Sequence, residues 1–272
     1  MLTDALGSLH APAAAGARIV SLVPSITELL FDLGLGERLV GRTGFCVHPR
    51  AAVRQLPKVG GTKDVNLEAL RALAPTHVIV NVDENTRECV QALRCFVPHV
   101  VVTHPQSPED NLALYALLGG IFGRPDGAAR LAAGLQTELD ACGAVDWPRE
   151  RVLYLCWKDP WMTVAADTYI ARTLARVGWQ VPYPPGGFAG AARYPTIDLD
   201  AELRAEPPRI DRVLLSTEPF LFTDAHVADL QSRFAQMPVQ LIDAEMTSWY
   251  GSRAVAGLRY LRELRIASGR AA

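Results

Sequence analysis

Apolar and polar positions follow two alternating patterns along this chain. Short runs of β-branched and other apolar residues are separated by segments whose apolar residues recur at helical spacing. In the first half the apolar runs lie at residues 18–23, 39–44, 76–81 and 99–104, and the helical segments at 26–34, 66–75 and 84–96. Strands that alternate with helices are typical of parallel βα units. We therefore predict an α/β lobe over residues 18–107.

The second half repeats this alternation after a helical interruption. Residues 108–146 carry two helical stretches and no strand pattern. Apolar runs then lie at 151–157, 212–217 and 239–244, with helical segments near 167–178, 198–205, 224–236 and 251–266. The stretch 181–195 is rich in Pro and Gly and predicts a loop. We expect a second α/β lobe over residues 147–272, joined to the first by the helical segment 108–146.

Two local signals predict where helices begin. Ser25 and Glu28 have the spacing of a capping box, in which each side chain bonds the backbone N–H of the other residue. Asp167 precedes an apolar helical segment and is a candidate N-cap.

Composition and charge narrow the function classes. The 272 residues are 49% hydrophobic and 21% charged, which suffices for one large or two modest cores. A net charge of -2 favours neither nucleic acid nor an anionic membrane as partner. No run reaches the roughly 18 apolar residues of a membrane span, so we expect no membrane insertion.

The N-terminal residues bear on location. The first 20 residues lack the basic start and the apolar core of a secretory signal peptide, and Asp4 lies among them. Five cysteines without a CxxC pair are consistent with a reducing compartment. We therefore expect a cytoplasmic protein, or a periplasmic one if the N-terminus is truncated here.

Aromatic residues are concentrated in the second half. All five tryptophans and six of the seven tyrosines follow residue 146. Several lie in predicted loops just after strands, and the carboxyl ends of parallel strands form the ligand crevice of open α/β sheets. An aromatic wall there would suit a large, flat or partly apolar ligand. Each ring could instead fill the core of its lobe.

Polar groups lie at equivalent strand ends in the first half. Glycines in the segment 58–66 let backbone N–H groups approach a ligand, and nearby side chains supply charge. In the second half, Trp249 and Tyr250 follow the run 239–244, and Arg253 begins the next helix, so we expect them to converge on one pocket. The predicted ligand-binding residues are Ser25, Phe45, Lys63, Asp83, Glu84, Trp157, Trp161, Tyr194, Glu218, Trp249, Tyr250 and Arg253.

Metal and catalytic chemistry have one candidate group. Cys46 and His48 lie two residues apart, and together with Asp83 they could hold a metal ion. The same Cys–His pair could act as nucleophile and base. The sequence offers no second pair of ligands and no residue to orient the base. We therefore predict neither a metal site nor a catalytic residue, and a protein that is not an enzyme.

Several segments together resemble a known family. The runs RIVSLVPSITELLFDLGLGERLVG, KVGGTKDVNLEALRALAPTHVIV and HVVVTH resemble periplasmic-binding-protein-like proteins with a helical backbone, which include cobalamin and ferric-siderophore receptors of ABC importers. WMTVAADTYIARTLARVG, RYPTIDLD, LLSTEPFLFTDAHVADL and DAEMTSWYGSR resemble the helical backbone metal receptor subgroup. The resemblance implies two Rossmann-like lobes, a long rigid bridging helix and a ligand held in a cleft between the lobes.

The resemblance also implies a ligand and a partner. It suggests a bulky metal chelate, namely a corrinoid, haem or a ferric siderophore, bound without an intrinsic cofactor. An ABC permease would be the partner if the chain is exported. In such receptors a glutamate on each lobe docks the permease. In the first lobe of this chain, Arg87 lies near the position of that glutamate, and Glu84 and Glu88 flank it. In the second lobe, Glu218 or Asp224 would be the docking carboxylate. Two alternatives remain open: a cytoplasmic enzyme or cofactor-handling protein with this fold, and a regulatory or scaffold protein.

Overall fold

The structure, a computed structural model, describes residues 2–184 and 193–270. It divides into two compact units. Unit 1 comprises the described residues up to Pro105, Glu109–Leu135 and Tyr250–Ser252. Unit 2 comprises Gln106–Pro108, the described part of Gln136–Trp249 and the described residues from Arg253 onward. The bounds 18–107, 108–146 and 147–272 stay a prediction.

Unit 1 begins with a short antiparallel hairpin, formed by β1 (Leu2–Thr3) and β2 (Leu9–His10). The buried carboxylate of Asp4 holds it together. Oδ1 accepts the backbone N–H groups of Leu6 and Ser8, at 3.0 and 2.9 Å. Oδ2 lies 3.0 Å from Nε2 of His10 and accepts the N–H of Val102 at 3.1 Å. This segment is therefore hydrogen-bonded to the rest of unit 1 through Val102.

Replacing Asp4 by Ala should destabilise the protein by about 2 kcal/mol, because several donors lose a charged acceptor at once. Burial alone would raise the pKa of Asp4, but the hydrogen bonds from His10 and the backbone outweigh it and lower the pKa. A lowered folded pKa means that the contribution is complete above the unfolded pKa, near 4, and is lost as the pH falls through the folded pKa.

Denaturant unfolding of wild type and Asp4→Ala at several pH values tests this prediction. The stability difference should be constant from about pH 5 to 7 and should shrink below about pH 4. A difference that grows as the pH falls would contradict it.

The main sheet of unit 1 has four parallel strands. They are β3 (Ile19–Ser21), β4 (Leu39–Arg42), β5 (His77–Asn81) and β6 (His99–Thr103). Their order in the sheet is β4-β3-β5-β6. All five residues of β5 are buried, as expected for a parallel strand covered on both faces. All four strands predicted for this lobe are present.

The helices of unit 1 connect these strands. They are α1 (Pro24–Asp32), α2 (Arg50–Val53), α3 (Leu67–Ala72), α4 (Arg87–Arg94) and α5 (Asp110–Ile121), with a 3-10 turn at Gly36–Arg38. Leu70 of α3 and Leu93 of α4 pack in one apolar cluster with Val20, Val78 and Val80 of the sheet. The long helix α6 (Pro125–Gly143) begins in unit 1 and ends in unit 2.

The predicted capping box at Ser25 is wrong. Helix α1 has Val23 as its N-cap and Pro24 in its first turn, and no side chain caps it. Proline favours the first helical position because its fixed φ suits a helix and its missing N–H needs no partner there. Ser25 lies inside the first turn and is buried.

Unit 2 contains a second parallel sheet. Its strands are β7 (Glu150–Leu155), β8 (Trp179–Gln180), β9 (Arg212–Ser216) and β10 (Val239–Ile242), in the order β10-β9-β7-β8. The predicted α/β class with two lobes of parallel sheet is therefore confirmed. Strand β8 was not predicted, because two residues are too few to show a period.

The helices of unit 2 are α7 (Tyr169–Ala175), α8 (Leu199–Leu203), α9 (Asp224–Arg233), α10 (Ala244–Ser248) and α11 (Arg253–Arg270). Helix α7 is capped by Thr168, whose hydroxyl accepts the N–H of Ala171 at 3.1 Å, so the predicted cap at Asp167 is wrong. Of the predicted loop 181–195, residues 185–192 lie outside the described part of the chain.

A charged network joins the strands of unit 2 near the start of β7. Oε1 of Glu150 accepts from Nε of Arg212 at 3.1 Å. Oε2 accepts from the indole N–H of Trp179 at 2.8 Å and lies 3.0 Å from Nη1 of Arg265. Glu150 thus holds three donors from two strands and a helix.

Candidate functional site

The strand order of unit 1 changes direction beside β3. Strand β4 lies on one side of β3 and β5 on the other, so the loops leaving β3 and β5 diverge. Open α/β sheets bind ligands where the strand order reverses in this way, at the carboxyl ends of the strands. Ser25 follows β3 at this edge, and Asp83 and Glu84 follow β5. Three predicted site residues therefore share one edge of the sheet.

Tyr250 packs against this edge. Its hydroxyl donates to Oε1 of Glu84 at 2.7 Å. Burial first, and then the charge of Glu84, raise the pKa of Tyr250 well above its ordinary value. The hydroxyl of Ser25 lies close enough to oppose this pKa shift, although among the described residues its Oγ has no partner in hydrogen-bond geometry. Tyr250 is therefore a fixed, neutral donor.

The residue after Tyr250 is clamped through its backbone. Gly251 donates its N–H to Oδ1 of Asn111 at 2.6 Å, and its carbonyl accepts from the hydroxyl of Tyr115 at 2.8 Å. Its φ is +83°, and a Cβ here would lie 3.1 Å from the carbonyl oxygen of Ser25. Glycine is needed both for this φ and for the close approach.

The other predicted residues of unit 1 lie nearer to solvent. Phe45 is 63% exposed, and its ring would contact a Cβ at Gly61. Nζ of Lys63 donates to the carbonyl of Asp83 at 2.6 Å. The Asp83 carboxylate lies 3.5 Å from Nε2 of His104. These loops expose one large apolar ring and fixed charges.

The sheet of unit 2 has the same strand order as the sheet of unit 1 when the strands of each sheet are numbered along the chain. Strands β7 and β9 are neighbours, and β10 and β8 extend the sheet on either side. Trp157 and Trp161 follow β7, whereas Phe220 and Phe222 follow β9. The carboxyl ends of β7 and β9 thus carry four aromatic rings, which we call the aromatic wall.

The rings of the aromatic wall contact one another. Trp157 meets Phe220 edge to face, with centroids 5.8 Å apart. Trp161 stacks on Phe222 at 6.0 Å with only 4° between the planes, and the centroids of the two Phe rings are 4.7 Å apart. Phe222 is buried, but Trp157 remains 39% exposed. Leu221, between the two phenylalanines in the chain, is 68% exposed, and the predicted site residue Tyr194 is 41% exposed.

Three other predicted residues meet beside β9. The indole N–H of Trp249 donates to Oε1 of Glu218 at 2.9 Å. The guanidinium of Arg253 lies 4.9 Å from the centroid of the Trp249 ring, and its Nη1 donates to Glu245 at 2.7 Å. Burial raises the pKa of Glu218, although the Trp249 hydrogen bond opposes this shift.

The predicted group at residues 249–253 is divided between the two units. Trp249 and Tyr250 follow β10 in the chain, and helix α10 lies between that strand and Trp249. Trp249 belongs to unit 2 and Tyr250 to unit 1, and both are buried. Arg253 does begin α11, as predicted. The guanidinium of Arg253 already pairs with the carboxylate of Glu245.

Sequence reasoning missed Phe220, Phe222 and the neighbouring His226. A signal was present, because the run EPFLF directly follows an apolar strand pattern. Two rings within three residues after a strand would have indicated part of a wall.

A separate cavity of about 380 Å³ lies in unit 2 near the end of α6. Its lining includes Ser107, Trp147, Arg172 and Arg176 and none of the predicted site residues.

Cys46 is placed for packing. Its Sγ lies 3.0 Å from Oγ1 of Thr27 and 3.2 Å from Oγ1 of Thr43, and the residue is fully buried. Burial raises the pKa of the thiol despite these two contacts. Among the described residues there is no group of three or more His, Cys, Asp or Glu arranged to hold a metal ion. The candidate group of Cys46, His48 and Asp83 is therefore not assembled in the described structure.

Alkylation of the native protein with iodoacetamide at mildly alkaline pH should modify Cys95 and spare Cys46. Cys95 is exposed, whereas Cys46 is buried and its raised pKa leaves little thiolate. Peptide mass mapping identifies the modified residue, and the same reaction in denaturant, where all five cysteines should react, is the control. Rapid modification of Cys46 in the folded protein would instead favour a reactive nucleophile.

Comparison with known proteins gives consistent matches. The sequence matches the family described as periplasmic binding protein over residues 19–201. It is 26% identical over 205 residues to a vitamin B12-binding protein of Vibrio vulnificus, covering 74% of this chain and 73% of that protein.

Solved structures agree in fold. The periplasmic vitamin B12 binding protein of Vibrio cholerae matches with a TM-score of 0.77 at 17% identity, covering 94% of this chain and 99% of that one. A periplasmic haem-binding protein from Roseiflexus sp. RS-1 matches with a TM-score of 0.73 at 24% identity, covering 93% and 97%. Among the described residues, no helix is both long and apolar enough to cross a membrane.

Proposed function

Because this chain belongs to the periplasmic binding protein family, we propose that it is the substrate-binding component of an ABC importer and that its ligand is a metal tetrapyrrole, a corrinoid or haem. The membership confirms the family resemblance seen in the sequence. The ferric siderophore, the third expected ligand, is less favoured because the named relatives above bind vitamin B12 or haem.

The aromatic wall is the observation that carries this proposal. Two tryptophans and two phenylalanines from separate loops contact one another at the carboxyl ends of β7 and β9. The contact with Phe220 holds Trp157, and the contact with the buried Phe222 holds Trp161. The partly exposed rings therefore present an apolar surface to a flat ligand with little loss of side-chain entropy. A small polar substrate would not need such a surface.

The partner would be an ABC permease. Of the carboxylates expected to dock it, Glu84 and Glu218 are hydrogen-bonded to Tyr250 and Trp249. Glu88 on α4 and Asp224 on α9 are exposed. We therefore favour Glu88 and Asp224, one in each unit, as the docking carboxylates.

Location and chemistry follow from this function. A protein that delivers ligand to an importer works outside the cytoplasm, and the matched structures named above are described as periplasmic. The comparisons therefore do not support the expected cytoplasmic location. The family is one of binding proteins. The comparisons therefore do not support the alternative of an enzyme or cofactor-handling protein.

Titration of the purified protein with haemin and with cyanocobalamin tests the proposal. We expect tryptophan fluorescence to be quenched and at least one ligand to bind with a Kd of about 1 μM or tighter, because the wall contains two of the five tryptophans. Ferric or cobalt ion without the macrocycle should not bind, since the wall offers rings rather than metal ligands. Absence of binding by both tetrapyrroles would refute the proposal.

A further inference from the structure

His226 stands at the edge of the aromatic wall. It lies in the first turn of α9, with its ring centroid 5.6 Å from that of Phe220 and 5.4 Å from that of Phe222. The imidazole plane is nearly perpendicular to both rings, at 84° and 85°. Contact with two rings restricts the orientation of this side chain. It thereby adds a hydrogen-bonding group beside the rings of the aromatic wall, where Nζ of Lys158 also lies 5.9 Å from the centroid of Trp161.

The backbone determines which nitrogen of His226 carries the proton. The N–H of Thr223 donates to Nδ1 at 3.1 Å. A backbone N–H can only donate, so Nδ1 must present its lone pair. Oγ1 of Thr223 lies 2.9 Å from the same nitrogen. The neutral imidazole therefore carries its proton on Nε2.

This tautomer limits what His226 can bind. Within the described residues, the hydrogen bonds of His226 involve only Nδ1. Nε2–H is then a donor, whereas a metal ion would require the lone pair of that nitrogen. The side chain is suited to an acceptor atom of a ligand and unsuited to its metal.

We propose that Nε2–H of His226 donates a hydrogen bond to an oxygen at the rim of a metal tetrapyrrole that lies on the aromatic wall. The inference rests on the proposed function and deepens it, because it names the group that orients the ligand. Haem carries carboxylate oxygens at its rim, and corrinoids carry amide carbonyl oxygens. Both are acceptors, so the shared requirement is a rim oxygen close to the aromatic wall.

Binding measurements on variants provide the first test. His226→Phe keeps a ring against Phe220 and Phe222 but removes the donor, and it should weaken binding of haemin or cyanocobalamin roughly tenfold. His226→Glu keeps an acceptor for the Thr223 N–H, as in an ordinary capping box, but cannot donate to the ligand. The Glu variant should also bind haemin or cyanocobalamin weakly. It provides the same test if the Phe variant does not fold.

Ser232→Ala is the matched control. It removes an exposed hydroxyl that donates to the Asp229 carbonyl at 2.8 Å in the last turn of α9 and leaves Thr223 and His226 untouched, so affinity should be unchanged. The ligand that loses more affinity in the His226 variants identifies the source of the oxygen, a carboxylate for haemin or an amide for cyanocobalamin. Equal affinity of wild type and both His226 variants would overturn the inference while leaving the proposed function standing.

Spectroscopy provides a test that does not depend on affinity. Nitrogen-15 NMR of the ligand-free protein should show that the neutral form of the His226 ring carries its proton on Nε2 and not on Nδ1. The visible absorption bands of bound haemin or cyanocobalamin should be the same in wild type and His226→Phe. A changed band would make His226 a metal ligand and overturn the rim assignment. Failure of wild type to bind either compound would overturn the proposed function and this inference with it.

Discussion

Replacing Trp157 by Ala should weaken binding of haemin or cyanocobalamin by about 1–4 kcal/mol, the range for an aromatic side chain that the bound ligand covers. Trp157 is the most exposed ring of the aromatic wall, at 39%, and the edge contact with Phe220 holds it in place. Its removal takes away contact area, and the remaining rings cannot replace it without moving. Because the variant also lacks a fluorophore, affinity is best measured by isothermal titration calorimetry.

Ile266→Ala is the control for Trp157→Ala. Ile266 lies on α11 and is also 39% exposed, but it does not belong to the aromatic wall. This variant should bind like wild type. If both substitutions leave affinity unchanged while a tetrapyrrole still binds, the ligand uses another surface and the assignment of the wall is wrong.

Replacing Glu150 by Ala should lower the free energy of unfolding by about 3–5 kcal/mol, because two partly buried guanidinium groups lose their shared counter-ion. Arg212 and Arg265 are 10% and 8% exposed, so water cannot readily replace the carboxylate. The indole N–H of Trp179 also loses its acceptor. Thermal unfolding followed by circular dichroism should show a clear fall in Tm.

Asp229→Ala is the matched control for Glu150→Ala. The Asp229 carboxylate is 57% exposed and lies 3.9 Å from Arg233 on the same helix. Exposed pairs of this kind contribute roughly 0–1 kcal/mol, so Tm should hardly change. Similar effects of the two substitutions would show that the network around Glu150 is no stronger than a surface ion pair.

The strands of three or more residues were predictable because each carries its own signal. The runs at 76–81 and 99–104 are apolar and β-branched, and β5 and β6 lie within them. Strands buried on both faces must be apolar throughout, so burial itself produces the pattern. Helix limits were less predictable. Where α1 begins depends on Pro24 rather than on the hydroxyl of Ser25, and both signals compete within two residues.

The candidate site was predictable only in part. Positions just after predicted strands identified five residues as site candidates, each by itself: Ser25, Asp83, Glu84, Trp157 and Trp161. Which of them touch depends on strand order, and a parallel sheet brings together loops that are distant in sequence. Trp157 therefore meets Phe220 across more than sixty residues, a pairing that no local pattern encodes.

Periodicity and family resemblance together were sufficient for the α/β class, the two lobes and the binding-protein family, because these depend on patterns repeated over many residues. Only the folded chain assigned the adjacent Trp249 and Tyr250 to different units and gave each its own carboxylate, Glu218 and Glu84. The tautomer of His226 likewise depends on one backbone N–H placed at hydrogen-bonding distance. Single contacts of this kind arise from packing, and packing depends on all the elements at once.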